Sequence, residues 1–330
     1  MPREDLNTLT IDLRGRQIPA AEGVDAKGVP MTLTNIRGQK IRGVFIRQDP
    51  KGPQESVRRN GCVSAVAELL GVPELAVRVR GLRFVNGAQG NQDGVFTASP
   101  EGADLFGSPE SCSRVADQPF GPERQGSGKL LRQLADLQVL DYLCGHPSRQ
   151  QSSLAYRLDE RGQVVGIQGV ENGEAFTGSA GKDNLLSPEK MLVVSKSMAD
   201  RLKSLKPEQM KQTMKGWGLS EQAMSDAGER LHSLQEQIKA ASRGAKTAGS
   251  RREGLVIVPD DHFGELSLDS LSRQGSYFQQ VRDSVQGAVR SARAQGFFYE
   301  PRGEAVQRPL RVPQHGPQHT AQAAPSPRSL

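Results

Sequence analysis

The residues with the most chemical potential in this chain lie in the stretch DYLCGHPSRQQSSLAYRLDERGQVVGIQGVENGEAF, which spans 141–176. A carboxylate such as Glu171, in a turn after a strand, can ligate a divalent cation, because hard cations take oxygen ligands. It can equally be a solvated turn acid. His146 has the chemistry of a general base, but no nucleophile and orienting acid stand at a recognisable spacing from it.

Other site chemistries are disfavoured by the spacing of their residues. Cys62, Cys112 and Cys144 have no second cysteine or histidine at metal-ligand spacing, so we expect reduced and mostly buried thiols rather than a zinc site or a disulfide framework. No G-x-x-x-x-G-K-[ST] motif is present, which argues against a P-loop as the phosphate cradle.

The net charge of +6 invites a nucleic-acid interpretation until its location is considered. An excess of three positive charges lies in the segment 301–330, where Arg302, Arg308, Arg311 and Arg328 stand against Glu304. The rest of the chain is therefore nearly balanced, and its aromatic content of 5% is low for stacking on bases. We expect no nucleic-acid partner.

The lengths and positions of the apolar segments indicate the cellular compartment of the protein. No stretch reaches the roughly 18 consecutive apolar residues of a membrane-spanning helix. The first residues, MPREDLNTLTIDLRGRQIPA, carry charges where a signal peptide has its apolar core. We expect a cytoplasmic protein without a membrane span, and export by a route that needs no signal peptide stays open.

Hydrophobic periodicity predicts the elements that must position the 141–176 segment. In chain order they are a strand at 40–49, a helix at 57–70 capped by Gly71, strands at 75–85 and 94–99, a covered helix at 129–145, a hairpin, a helix capped by Ser220, a strand at 255–261 and a helical candidate at 267–295. Val63, Val66, Ala67 and Leu70 form the apolar face of the first helix, and Met224, Ala227, Leu231, Leu234 and Ile238 form that of the later one. The first forty residues alternate only weakly.

This order predicts an α+β fold in which a small sheet-containing lobe precedes a larger, mainly helical lobe. We place the N-terminal lobe at 1–105 and a polar inter-lobe loop at 106–128. The helical C-terminal lobe, which contains the hairpin, follows at 129–298. Beyond it, 299–330 is rich in Pro, Gln and Ala, which indicates a disordered tail.

The 141–176 segment resembles the catalytic segment of bacterial proteins related to actin-fragmin kinase and, more distantly, to the phosphoinositide kinases and the wider protein-kinase-like fold. In that group a buried helix ending in D-Y-L-x-G is followed by a loop N-x-D-R-H-x-x-N, a hairpin and a turn I-D-N or I-D-x-G. The resemblance extends more loosely over 40–245. It implies a bilobal kinase-like fold that uses ATP and Mg²⁺.

The resemblance also implies roles for individual residues. The loop Asp of the family falls on Ser148, its Arg on Arg149, its His on Gln150 and its metal-binding Asn on Ser153, while the later metal-binding Asp becomes Glu171. A serine at 148 cannot take a proton at neutral pH, so phosphoryl transfer should be impaired. Ser153 is a weak oxygen ligand, and Glu171 keeps the charge on a side chain one methylene longer.

Two arginines have a plain structural alternative. In the family, a lysine binds the phosphate, and it has no clear counterpart here among Lys40, Arg42, Arg47 and Lys51. Arg47 is the first candidate because it lies near a strand end. The structural alternative is that Arg47 is simply an exposed residue at the end of the strand. Arg149, likewise, could pair with Asp141 or cap the helix before it.

Three functions follow from these observations. The first is a kinase-like protein with impaired phosphotransfer, a pseudokinase that retains nucleotide binding and works through a protein partner. The second is an active ATP-dependent protein kinase or nucleotidyl transferase of the same fold, with Glu171 as metal ligand and Asp159 or Glu174 as recruited acids. The third is a non-enzymatic interaction protein that uses the helical region 185–243 and the basic tail.

Overall fold

A computed structural model describes most of the first 283 residues. All of the described residues belong to one compact unit, Met1–Tyr299. The described ranges are 8–12, 29–34, 40–47, 55–87, 90–98, 103–105, 127–147, 149, 153–158, 164–177, 193–243, 255–267, 271 and 277–283. The predicted tail at 299–330 and Cys112 lie outside them, and the lobe boundaries stay predictions.

A five-stranded sheet forms the N-terminal part, with strand order β1-β4-β5-β3-β2. Its strands are β1 Thr8–Asp12, β2 Val29–Thr34, β3 Lys40–Arg47, β4 Val79–Gly87 and β5 Gly90–Ala98. Only β1 pairs in parallel, with β4. The buried side chains Phe45, Leu82, Phe84 and Phe96 form its core, in which Phe45 and Phe84 meet edge to face with centroids 4.9 Å apart.

A second, three-stranded sheet carries the predicted hairpin. It is built from β6 Ala103–Leu105, β7 Leu154–Leu158 and β8 Val164–Gly169, in the order β6-β7-β8. A short parallel pair, β9 Val193–Ser195 and β10 Val256–Val258, lies elsewhere in the chain.

The described residues also form five α-helices and a helical stretch at 277–283. They are α1 Glu55–Leu69, α2 Ser127–Cys144, α3 Lys196–Ser204, α4 Pro207–Gly216 and α5 Glu221–Ser242. Every residue of α2 from 133 to 144 is buried, which confirms that this helix is covered around its circumference. On α5, Ser220 accepts a hydrogen bond from the amide of Ala223, and the five predicted apolar residues are all buried.

Helix α1 joins the sheet to the helical part of the unit. Its buried residues pack with α2, α4 and α5 in the largest hydrophobic cluster, while Val57 packs with Val79 and Val95 of the sheet. Trp217, after α4, fits against Gly61, where an added Cβ would lie 2.2 Å from the indole ring. The predicted α+β class, with its sheet first and its helices later, is confirmed.

Candidate functional site

The loop that begins the 141–176 site is set by the end of α2. Gly145 has φ of +60°, and the amides of Gly145 and His146 donate to the carbonyls of Tyr142 and Asp141 at 3.1 and 2.9 Å. This is the Schellman arrangement, which needs one residue in the left-handed conformation. Glycine adopts that conformation without a Cβ clash. The chain is thereby turned back toward the hairpin.

Arg149 lies at the centre of the site, and all of its N–H donors are used within the protein. Nε and Nη2 donate to Oδ2 and Oδ1 of Asp141 at 2.8 and 2.5 Å. Nη1 donates to the carbonyls of Ser153 and Val170 at 3.2 and 2.9 Å, and Nη2 also donates to Oδ1 of Asn172 at 2.7 Å. A guanidinium has five N–H donors, so these bonds leave none for a ligand. The structural alternative for Arg149, an ion pair with Asp141, is therefore present.

Both charges of this pair are removed from water. Arg149 and Asp141 are each 1% exposed. Burial lowers the pKa of Arg149, but the Asp141 carboxylate raises it by more, so the guanidinium stays charged. The Tyr277 hydroxyl donates to Asp141 Oδ2 at 2.8 Å, and burial together with that carboxylate raises the pKa of Tyr277. The network is thus fully satisfied, as buried charges require.

A glycine at the end of β8 makes room for the guanidinium. A Cβ on Gly169 would lie 2.6 Å from Nη2 of Arg149 and 2.8 Å from Cζ. Any larger residue would displace the arginine from the carbonyls that it holds.

Glu171 lies in the turn whose neighbouring residues, Val170 and Asn172, accept hydrogen bonds from Arg149. Its backbone is left-handed, with φ of 54° and ψ of 48°, and its side chain is exposed. The residue before it, Val170, donates a hydrogen bond from its backbone amide to the carbonyl of Ser153 at 2.8 Å. The residue after it, Asn172, begins a 3₁₀ turn, Asn172–Glu174. A non-glycine residue in this region is strained, and such strain is concentrated at functional sites.

Helix α1 holds the other side of the same turn. Oδ1 of Asn60 accepts a hydrogen bond from the amide of Asn172 at 2.7 Å, and Nη1 of Arg59 donates to the carbonyl of Gly173 at 3.3 Å. A Cβ on Gly173 would lie 3.0 Å from Cβ of Ser56. The carboxylate of Glu171 therefore projects from a turn that is anchored both to α1 and to the Arg149 network.

His146 is buried beneath this turn at 2% exposure. Its ring lies near the backbone of Glu171, yet neither nitrogen makes a hydrogen bond of good geometry. Burial and the charge of Arg149 lower its pKa, so the imidazole is neutral. A buried neutral ring without an accessible face is poorly suited to the general-base role considered for it.

The structure brings together only part of the predicted site. Arg149 and Ser153 are buried in it, and Glu171 is exposed above it. Ser148 lies outside the described residues. Arg47 ends β3, but its side chain is not described.

Sequence reasoning missed Asn60, Asn172 and Tyr277. An asparagine directly after the turn acid is the one local signal that could have suggested Asn172.

The exposed carboxylate of Glu171 can be one ligand of a divalent cation that is bound together with a phosphate. Within the described ranges, no group of three or more His, Cys, Asp or Glu side chains is placed to hold a metal ion. Mg²⁺, however, keeps several waters and needs only one or two carboxylates when phosphate oxygens supply further ligands. One exposed carboxylate on a braced turn meets that requirement.

A second polar cluster lies around the middle of α2. Asp136, which is 4% exposed, accepts a hydrogen bond from the Ser195 hydroxyl at 2.6 Å. Arg132 is 3.7 Å from Asp136 and 3.2 Å from Asp260, whose Oδ1 accepts from the amide of Ser197. Burial raises the pKa of Asp136 to about 6, against the opposing effects of Ser195 and Arg132. This cluster ties the segment after β10 to α2 and α3.

Comparisons with known proteins identify similar structures but no sequence relative. No protein-family model and no curated protein matches the chain. The crystal structure of a Golgi casein kinase aligns at 13% identity with a TM-score of 0.42, covering 70% of this chain and 72% of that one. A Helicobacter pylori proinflammatory kinase, CtkA, aligns at 12% identity with a TM-score of 0.41, covering 74% of this chain and all of that one. Among the described residues, no helix has the length and apolarity needed to cross a membrane.

Proposed function

We propose that this protein is a kinase-like protein with impaired phosphotransfer, which binds ATP with Mg²⁺ at Glu171 and acts through a protein partner. The observation that carries the proposal is the exposed Glu171 carboxylate in a left-handed backbone, above a fully satisfied buried network. Residues held in strained backbone conformations cluster at active sites and ligand-binding sites.

The residues near Glu171 support binding more than chemistry. Glu171 would hold the Mg²⁺ ion, and the bound ion would neutralise phosphate charge. Arg149 acts as a positioning residue, because its donors are occupied by Asp141, by backbone carbonyls and by Asn172. The sequence has a serine at 148 in place of the acid that would orient an acceptor hydroxyl.

A thermal-shift titration with ATP and Mg²⁺ tests the proposal. At a ligand concentration of about 100 times Kd, we expect the wild-type melting temperature to rise by about 5 to 10 °C. Glu171→Ala should lose most of that rise. Glu229→Ala is the matched control, since it removes an exposed glutamate from the middle of α5.

The outcomes separate the competing functions. An equal shift in wild type and Glu171→Ala removes Glu171 from the site, and no shift in wild type defeats the nucleotide proposal. Transfer of radiolabel from the γ or α position of ATP to any protein would favour an active transferase instead. If no nucleotide effect is found, but partner capture depends on 301–330, the protein is an interaction module.

A further inference from the structure

Tyr277 lies outside the segment 40–245 over which the sequence resembles the kinase group, yet its hydroxyl completes the network next to Glu171. It is fully buried and donates to Oδ2 of Asp141 at 2.8 Å. We propose that Tyr277 is a positioning residue for Glu171, acting through Asp141 and Arg149. This inference rests on the proposed function of Glu171 as the ligand of a nucleotide-borne cation.

The first step of the argument is the shared oxygen of Asp141. Oδ2 accepts from Nε of Arg149 and from the Tyr277 hydroxyl, both at 2.8 Å, while Oδ1 accepts from Nη2 of Arg149. A bidentate pair is sensitive to rotation of the carboxylate, because both of its hydrogen bonds must stay in one plane. The Tyr277 hydroxyl is a further donor to this carboxylate and so restrains its rotation.

The second step is the position of the far contacts of Arg149. Nη1 holds the carbonyl of Val170 at 2.9 Å, and Nη2 holds Oδ1 of Asn172 at 2.7 Å. These two residues directly precede and follow Glu171 in the chain. Any shift of the guanidinium therefore moves both anchors of the residue that presents the carboxylate. Tyr277 is thus linked by hydrogen bonds, through Asp141 and Arg149, to both chain neighbours of Glu171.

The third step is the state of the phenol. Burial, with a further contribution from Asp141, raises the pKa of Tyr277, so its hydroxyl keeps the proton that it donates. If Tyr277 were only a packing residue, its ring would be sufficient. Its neighbour Phe278 is such a residue: it is also fully buried and packs edge to face on Tyr277, with centroids 6.2 Å apart.

The experiment compares Tyr277→Phe with Phe278→Leu in the full chain. Tyr277→Phe removes only the hydroxyl, and loss of one hydrogen bond should leave the protein folded. We expect Mg·ATP to bind it about three- to tenfold more weakly than wild type, somewhat less than the loss typical of groups that contact metal ligands. Without nucleotide, the backbone amide of Asn172 in this variant should exchange with solvent faster than in wild type. Phe278→Leu should lower the melting temperature but leave both readouts at wild-type values.

The readouts separate failure of this inference from failure of the proposed function. If Tyr277→Phe binds Mg·ATP as wild type does and the Asn172 amide exchanges at the wild-type rate, Tyr277 is a packing residue and the inference is wrong. Equal loss of affinity in both variants also overturns it, because general destabilisation then explains the effect. If wild type binds no Mg·ATP, the proposed function fails, and the exchange rate of Asn172 alone decides whether Tyr277 orders the turn.

Discussion

The backbone of Glu171 gives a sharp prediction, because replacing this residue by glycine should stabilise the protein while removing its proposed ligand. With φ of 54° and ψ of 48°, residue 171 is left-handed. That conformation costs a residue with a Cβ about 1–2 kcal/mol. Glycine removes this cost but adds about 0.4–1 kcal/mol of entropy to the unfolded chain.

The difference between these effects sets the expected size of the change. Glu171→Gly should raise the free energy of unfolding by about 0.5–1 kcal/mol. For a domain of this size, that corresponds to a melting temperature higher by about 1–4 °C. Glu171→Ala removes the same charge but keeps the Cβ, so it isolates the backbone contribution.

Denaturant and thermal unfolding of the three proteins, without nucleotide, provide the measurement. We expect Glu171→Gly to be the most stable of the three and, like Glu171→Ala, to lose most of the shift with Mg·ATP. A glycine variant no more stable than the alanine variant would refute the strain argument. A gain in stability paired with a loss of binding would fit the exchange between stability and function that is common at binding sites.

Three further predictions concern the two polar clusters. Since the pKa of Asp136 is about 6 in the fold and about 3.9 in an unfolded chain, the folded state holds an extra proton between these values. Wild-type stability relative to Asp136→Asn should therefore fall by about 2 kcal/mol as pH rises from about 4 to 6. Denaturant unfolding across this pH range measures the difference, and a difference that does not change with pH contradicts the prediction. Arg149→Met should cost about 3–5 kcal/mol in the same assay, because Asp141 is left buried without its partner, and a loss below about 1 kcal/mol would count against the pair. Gly169→Ala should cost about 2 kcal/mol or more, because its Cβ would overlap the guanidinium of Arg149, and a neutral result would show that the arginine can move away.

Helices α1, α2 and α5 were predictable because their apolar spacing is a local property. The buried face of α5 and the covered α2 follow directly from where leucine, methionine and alanine recur. Strands β1, β2, β6 and β9 were not predicted. The strand β9 has three residues and exists through pairing with β10, about sixty positions later, which no local pattern reveals.

The site was predictable in its sequence position but not in its geometry. A turn acid at 171 and an arginine at 149 were recognisable, and both roles of Arg149 stayed open. The deciding partners, the carbonyl of Val170, Asn172 and Tyr277, come from segments that only the folded chain brings together. The left-handed backbone of Glu171 had no signal either, because glycine, the usual residue in this conformation, stands two positions later.

The buried ion pair argues for specificity rather than for stability. Replacing such a pair by apolar residues is often neutral, while removing one partner is costly. We therefore expect Asp141→Leu, Arg149→Met and Tyr277→Phe together to be more stable than Arg149→Met alone by about 2 kcal/mol. The combined variant should nevertheless lose the Mg·ATP response, because nothing then orients the turn of Glu171. Denaturant unfolding and nucleotide titration of the two variants measure both effects. A combined variant that binds Mg·ATP as wild type does would mean that α1 alone suffices to hold the turn.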